Sequence, residues 1–106
     1  MIFEAAGTTA KADFERWVQQ LLWDRVMSPR AGQLMEIMRI KGVVSLEGEG
    51  SRHILQGVQQ LYDLTETTAW EAAEARTCRV LLVGRYLDED VLRKTFAQET
   101  RLNQFV

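Results

Sequence analysis

A chain of 106 residues with 46% apolar side chains can build one hydrophobic core without staples, so a single domain spanning 1–106 is expected. A formal net charge of -2 argues against broad capture of nucleic-acid phosphates, and no apolar run approaches the ~18 residues of a membrane span. The single Cys78 excludes an intramolecular disulfide and any Cys-x-x-Cys metal site, and it fits a reducing, cytoplasmic setting.

In chain order, Met1, Ile2 and Phe3 read as the end of a strand cut short at its start. After Gly7, Thr8 or Thr9 can cap a helix over about 10–27, because Phe14, Trp17, Val18, Leu21 and Leu22 fall at i, i+3, i+4, i+7 and i+8. Ser28-Pro29 stops it, since the residue before proline is pushed out of the α region. From Leu34 to Glu47 the period becomes two: Met38, Ile40, Gly42, Val44 and Leu46 point toward the helix, and Ile37, Arg39, Lys41, Val43 and Ser45 point away.

Glu47-Gly48-Glu49-Gly50 is a hairpin tip, so a strand returns antiparallel from Arg52. His53 to Thr65 reads as one long strand with a bulge or bend at Gln59-Gln60, where the apolar parity shifts. Thr68-Ala-Trp-Glu71 has capping-box spacing before an alanine-rich run, which predicts a helical turn at 69–75. Thr77 to Arg85 is a strand with Cys78, Val80, Leu82 and Gly84 on one side and Arg79, Leu81, Val83 and Arg85 on the other. Asp88 caps a last helix that buries Val91, Leu92, Thr95 and Phe96 and ends near Glu99 or Thr100. Residues 101–106 follow as a tail in which Phe105 and Val106 are able to join a sheet edge.

The order β-α-β-β-β-α specifies an α+β fold: an antiparallel sheet of about four strands with two amphipathic helices on one face, a relative of the ferredoxin-like plan. A sheet covered on one side leaves an open face. The alternation assigns Arg39, Lys41, Arg79 and Arg85 to it, interleaved with Ile37, Val43, Leu81 and Val83; Arg39, Lys41, Arg79, Leu81, Val83 and Arg85 form the candidate interface with Trp70, for which sealing the core edge is the other reading. Ten of the 13 basic residues are arginine, whose planar guanidinium suits protein contacts. The structural reading of the same pattern is that long basic stems cover the apolar residues between them.

No catalytic, cofactor-binding or metal-binding residue emerges from spacing. No glycine is followed by lysine, so no phosphate-wrapping Walker A loop is present, and Ala10-Lys11-Ala12-Asp13 lacks the asparagine of a guanine-reading motif. His53 has no second histidine and no carboxylate at ligand spacing in its own strand, so it reads as ordinary surface or hairpin chemistry. Cys78 reads as a small core residue, and Asp88, Glu89 and Asp90 read as helix capping.

The pattern Met38-Arg-Ile-Lys-Gly-Val-Val-Ser-Leu46, then His53-Ile-Leu-Gln-Gly-Val58 and Arg79-Val-Leu-Leu-Val-Gly-Arg-Tyr-Leu-Asp88, resembles the C-terminal domain of CobW-type proteins. Within that family the likeness runs toward the animal COBW domain-containing proteins, or zinc-regulated GTPase metalloprotein activators, and covers about Phe3 to Phe96. The resemblance implies a non-catalytic accessory domain of a GTP-dependent zinc chaperone. It implies GTP, Mg and Zn for a parent protein, a GTPase domain upstream and a metalloprotein client, with the nucleotide and Cys-x-Cys-Cys motifs belonging to that other domain. It also implies a variable loop, not a helix, at 69–75. A second class is an RNA-binding module on the open basic face, which the absence of outward aromatic residues disfavours.

Overall fold

The computed structural model describes residues 1–106. The chain runs β1 (Ile2–Ala6), α1 (Lys11–Gln19), a π-helical turn (Gln20–Asp24), the short strands β2 (Met27–Ser28) and β3 (Gln33–Leu34), β4 (Glu36–Ser45), β5 (Ser51–Val58), β6 (Leu61–Ala69), β7 (Thr77–Arg85) and α2 (Glu89–Thr100). Five strands make one antiparallel sheet in the order β1-β7-β4-β5-β6, while β2 and β3 pair as a separate ribbon.

Both helices lie on one face, as the apolar stripes require. Phe14, Trp17, Val18, Leu21 and Leu22 meet Leu92 and Phe96 over Phe3, Ile40, Val44, Leu55, Val80 and Leu82 in one buried cluster. Aromatic edges lock the helices to β1: Trp17 and Phe96 sit 4.9 Å apart at 86°, and Phe3 and Phe96 sit 5.2 Å apart at 75°. The buried Trp17 Nε1–H donates to Thr95 Oγ1 at 3.1 Å, so the indole brings no unpaired donor into the core.

Several local expectations are corrected. The sheet has five strands, because Gln59-Gln60 is a two-residue turn joining β5 to β6 with Val58 opposite Leu61, not a bend in one strand. Gln59 takes φ 55, and its N–H donates to Met38 O at 2.9 Å, so tertiary bonding holds a conformation that Asn or Gly usually marks. The segment at 69–75 is not helical. Thr68 still belongs to β6, and the Glu74 carboxylate turns back to accept the Glu71 N–H at 3.1 Å.

Neither Thr8 nor Thr9 caps α1, whose N-cap Ala10 has no side-chain bond. Thr9 Oγ1 donates instead to the Thr100 carbonyl at 3.3 Å, satisfying an orphan acceptor at the end of α2. The first helix stops at Asp24, short of Ser28-Pro29, where Arg25 takes φ 61 and its Nε donates to Met35 O at 3.3 Å. A bulge between Ile37 and Arg39 buries Ile37 and turns Met38 outward, reversing the parity expected for that pair. Asp88 caps α2 as expected, its Oδ1 accepting from the Asp90 and Val91 N–H groups. Phe105 folds back to bridge Ala5 and packs against the Phe3 ring at 5.8 Å.

Candidate functional site

The uncovered side of the sheet is organised in rows set by strand register. One row runs Glu4, Arg79, Val43, Ile54 and Thr65; the next runs Ile2, Leu81, Lys41, Gln56 and Asp63; a third runs Val83, Arg39, Val58 and Leu61. The first two rows set charges of both signs among apolar side chains, Glu4 with Arg79 and Lys41 with Asp63, and the third carries Arg39 alone. Ile2, Leu81 and Val83 keep 47%, 41% and 49% of their surface exposed, so the basic stems beside them cover only about half of it. A shallow cavity of about 310 Å³ lies at the centre, lined by Ile2, Lys41, Val43, Ile54, Arg79 and Leu81 along with Gly42.

Of the interface residues read from sequence, Arg39, Lys41, Arg79, Leu81, Val83 and Arg85 are brought together on the paired strands β4 and β7. Trp70 stands apart, after the end of β6. Its ring lies under the Arg52 guanidinium at 4.6 Å, with Arg76 at 6.0 Å on the same ring. Arg52 also pairs with Glu74, whose carboxyl is held below the usual carboxylate range first by the Glu71 N–H and then by that guanidinium. Trp70 is half-buried but not part of the core cluster; it closes the end of the sheet where 70–76 crosses from β6 to β7.

That end of the sheet also holds a group of side chains that sequence spacing does not reveal. His53, with 7% of its surface exposed, points to the helix side and pairs directly across the β5–β6 hairpin with Glu66. One ligand atom each from Glu49, His53 and Glu66 lies within 4.8 Å of the other two. The His53 Nδ1 lies 3.2 Å from the Ser51 carbonyl oxygen, and since a carbonyl only accepts, Nδ1–H is the donor in that contact. Reading 53–65 as one strand hid Glu66, because only the hairpin brings it opposite His53. Glu49, in the tip between β4 and β5, gave no periodic signal.

Cys78 is buried, as its parity predicts, and burial pushes its thiol up to about 11. A thiol so far from ionising at neutral pH is a poor nucleophile and a poor metal ligand. No glycine is followed by lysine, and the glycine-rich tip at 47–50 carries Glu47 and Glu49, whose charge opposes phosphate.

Residues 1–100 match the family described as the cobalamin synthesis protein cobW C-terminal domain. The chain belongs to the CobW C-terminal domain family. The zinc chaperone CobW of Pseudomonas aeruginosa is 38% identical over 61 residues, which is 55% of this chain and 16% of that protein. Among solved structures, the zinc-bound YjiA GTPase of E. coli superposes with a TM-score of 0.74 at 25% identity, over 93% of this chain and 28% of the other. A triple mutant of zinc-bound YjiA GTPase gives a TM-score of 0.75, also at 25% identity, over 94% and 29%. These neighbours agree with the α+β architecture expected from sequence. The CobW-type chain thus spans less than a third of the length of the relatives it matches. No helix is long and apolar enough to cross a membrane.

Proposed function

We propose that this CobW-type domain is a non-catalytic adaptor in a GTP-dependent zinc chaperone, docking an upstream GTPase domain, or the client that receives metal, through its uncovered sheet face. On this reading catalysis and nucleotide binding belong to the GTPase domain. The observation that carries it is the half-exposed Leu81, Val83 and Ile2 set between Arg39, Lys41, Arg79 and Glu4. Covering the remaining apolar surface contributes about 1 kcal/mol per side chain, and the flanking ions fix orientation and suppress wrong partners. The family relationship supplies the partner class, since the relatives are a zinc chaperone and a GTPase. Trp70 serves in this scheme as a clamp at the sheet's end and a secondary contact.

The RNA-binding alternative finds no supporting observation. The rows across β7, β4, β5 and β6 contain no aromatic residue on which a base can stack, and Asp63 and Glu4 lie among the basic side chains.

The test is a titration of metal-free, EDTA-treated 106-residue chain with the separately produced GTPase domain in its GDP and GTP states, following backbone amide shifts. Shifts centred on Arg39, Leu81 and Val83 in at least one state are expected, and Leu81→Asp, with its fold checked by circular dichroism, weakens the complex at least tenfold. Unmoved amides in both states would remove the GTPase domain as the occupant of this face.

A further inference from the structure

We infer that Glu49, His53 and Glu66 form a divalent transition-metal site at the β4–β5 tip, with three protein ligands and an open coordination position. Three observations point the same way.

First, the donor set suits the chemistry. Neutral imidazole and carboxylate are ligands for zinc-class metals, and three protein ligands leave a fourth position for water or a ligand from another molecule. Second, the imidazole is already oriented. The Ser51 carbonyl accepts the Nδ1 proton, the outer hydrogen bond that metal-ligating histidines use to fix their tautomer, and this leaves Nε2 as the donor atom. Third, the two carboxylates lack a counter-ion. Neither Glu49 nor Glu66 takes part in an ion pair, although their oxygens lie within 4.8 Å of each other and of the ring. The cation on the same strand, Arg52, is committed to Glu74 and the Ala69 carbonyl. A divalent ion would supply the direct counter-charge that neither carboxylate receives from Arg52 or from Arg76, whose Nη1 is spent on the Glu49 carbonyl.

The geometry needs a small closure. Ligands about 2.0–2.1 Å from a tetrahedral metal lie about 3.3 Å from one another, so the carboxylates must approach by up to about 1.5 Å. Their anchors permit it. Glu49 sits between Gly48 and Gly50 in the tip, where an added Cβ on either glycine would meet nothing within 4 Å, and Glu66 is exposed with only a 3.4 Å contact from Ser51 Oγ. His53 is the rigid member, and the two glutamates swing. Meanwhile Arg76 Nη1 donates to the Glu49 carbonyl at 2.8 Å, which holds the tip's backbone over the hairpin without using the carboxylate.

The site stands on these side chains. Only the choice of zinc as the ion rests on the proposed chaperone function, and the two fail separately, because docking is read without metal and metal binding without the GTPase domain. The experiment is a calorimetric titration of the 106-residue chain with zinc chloride, paralleled by cobalt(II) titration read by its visible absorption and by imidazole chemical shifts of His53. One ion per chain is expected, with a His53 shift and low-coordinate cobalt absorption. Glu49→Gln and Glu66→Gln are each expected to weaken affinity at least tenfold with an unchanged melting temperature. His53→Gln should abolish the cobalt band, and since that residue is buried, the exposed Glu49→Gln change keeps the test independent of folding. Absence of stoichiometric zinc binding, or binding that Glu49→Gln and Glu66→Gln leave unaltered, would overturn the site.

Discussion

Gly84→Ala isolates the contact on which the β4–β7 pair depends. Gly84 lies opposite Ile37 beside the bulge, and a Cβ added there would sit 1.9 Å from the Glu36 carbonyl oxygen and 3.2 Å from Ile37 Cα. An ordinary carbon-oxygen contact is about 3.3 Å or longer, so the strands must part by about 1.4 Å, and a backbone atom has no rotamer in which to escape. Overpacking of this kind costs about 1–3 kcal/mol, and stretching one or two ladder hydrogen bonds adds about 1 kcal/mol each, for a total near 3 kcal/mol. For a domain of this size that lowers the melting temperature by about 12–24 °C. Urea unfolding followed through the buried Trp17 reads the loss directly, with thermal melts as a second measure. Gly50→Ala is the control: its φ is not in the left-handed region and nothing lies within 4 Å of the added carbon, so the change should be neutral or stabilise by about 0.5 kcal/mol. A Gly84→Ala chain within about 1 kcal/mol of the parent would show that the bulge relaxes and that sterics do not explain the glycine.

Two further changes probe the core. Thr95→Val strands the Trp17 indole N–H in an apolar interior and should cost about 1–3 kcal/mol by urea unfolding, whereas Thr95→Ser retains the acceptor and most of the stability; equal losses would show that the hydrogen bond is not the source. Cys78 makes stability pH-dependent with a definite sign. Its folded thiol is raised from about 9.0 to about 11, so the unfolded chain releases that proton first, the contribution is complete below about pH 9, and it declines as pH rises through 11, by roughly 2–3 kcal/mol. Subtracting the pH profile of Cys78→Ala from that of the parent should expose this slope, and superimposable profiles would refute its assignment to the thiol.

What could be read from sequence follows from how burial writes itself into a chain. Where an element is covered on one side only, its period survives. Arg79, Leu81 and Val83 against Cys78, Val80 and Leu82, and the stripe from Phe14 to Leu22, each landed on the expected face. Where backbone conformation is held by distant groups, no local residue records it. Thr9 looks like a helix cap yet serves the far end of α2, and the turn at Gln59-Gln60 has neither glycine nor asparagine because the Met38 carbonyl and the Trp23 indole, which donates to Gln60 O at 2.9 Å, hold it from outside.

That hidden turn has a chemical consequence. Folding β6 back on β5 puts Glu66 opposite His53, and it carries the chain across the sheet's end so that Trp70, Arg52 and Glu74 close the corner beside Glu49. The candidate metal ligands lie on the β4–β5 tip, β5 and β6, on the side of the sheet opposite the docking face, and the β4–β5 hairpin reaches that face through Val43 and Ile54. The strand register ties them together: Val44 faces His53 on the inner side, and the adjacent Val43 faces Ile54 on the outer side. A partner that presses on Val43 and Ile54 loads the same two-strand hairpin whose tip positions Glu49. Reciprocity then fixes the test of any coupling: the factor by which zinc changes the GTPase domain's affinity, read by repeating the amide titration with and without zinc, must equal the factor by which that domain changes the affinity for zinc, and a factor of one means the two sites act independently.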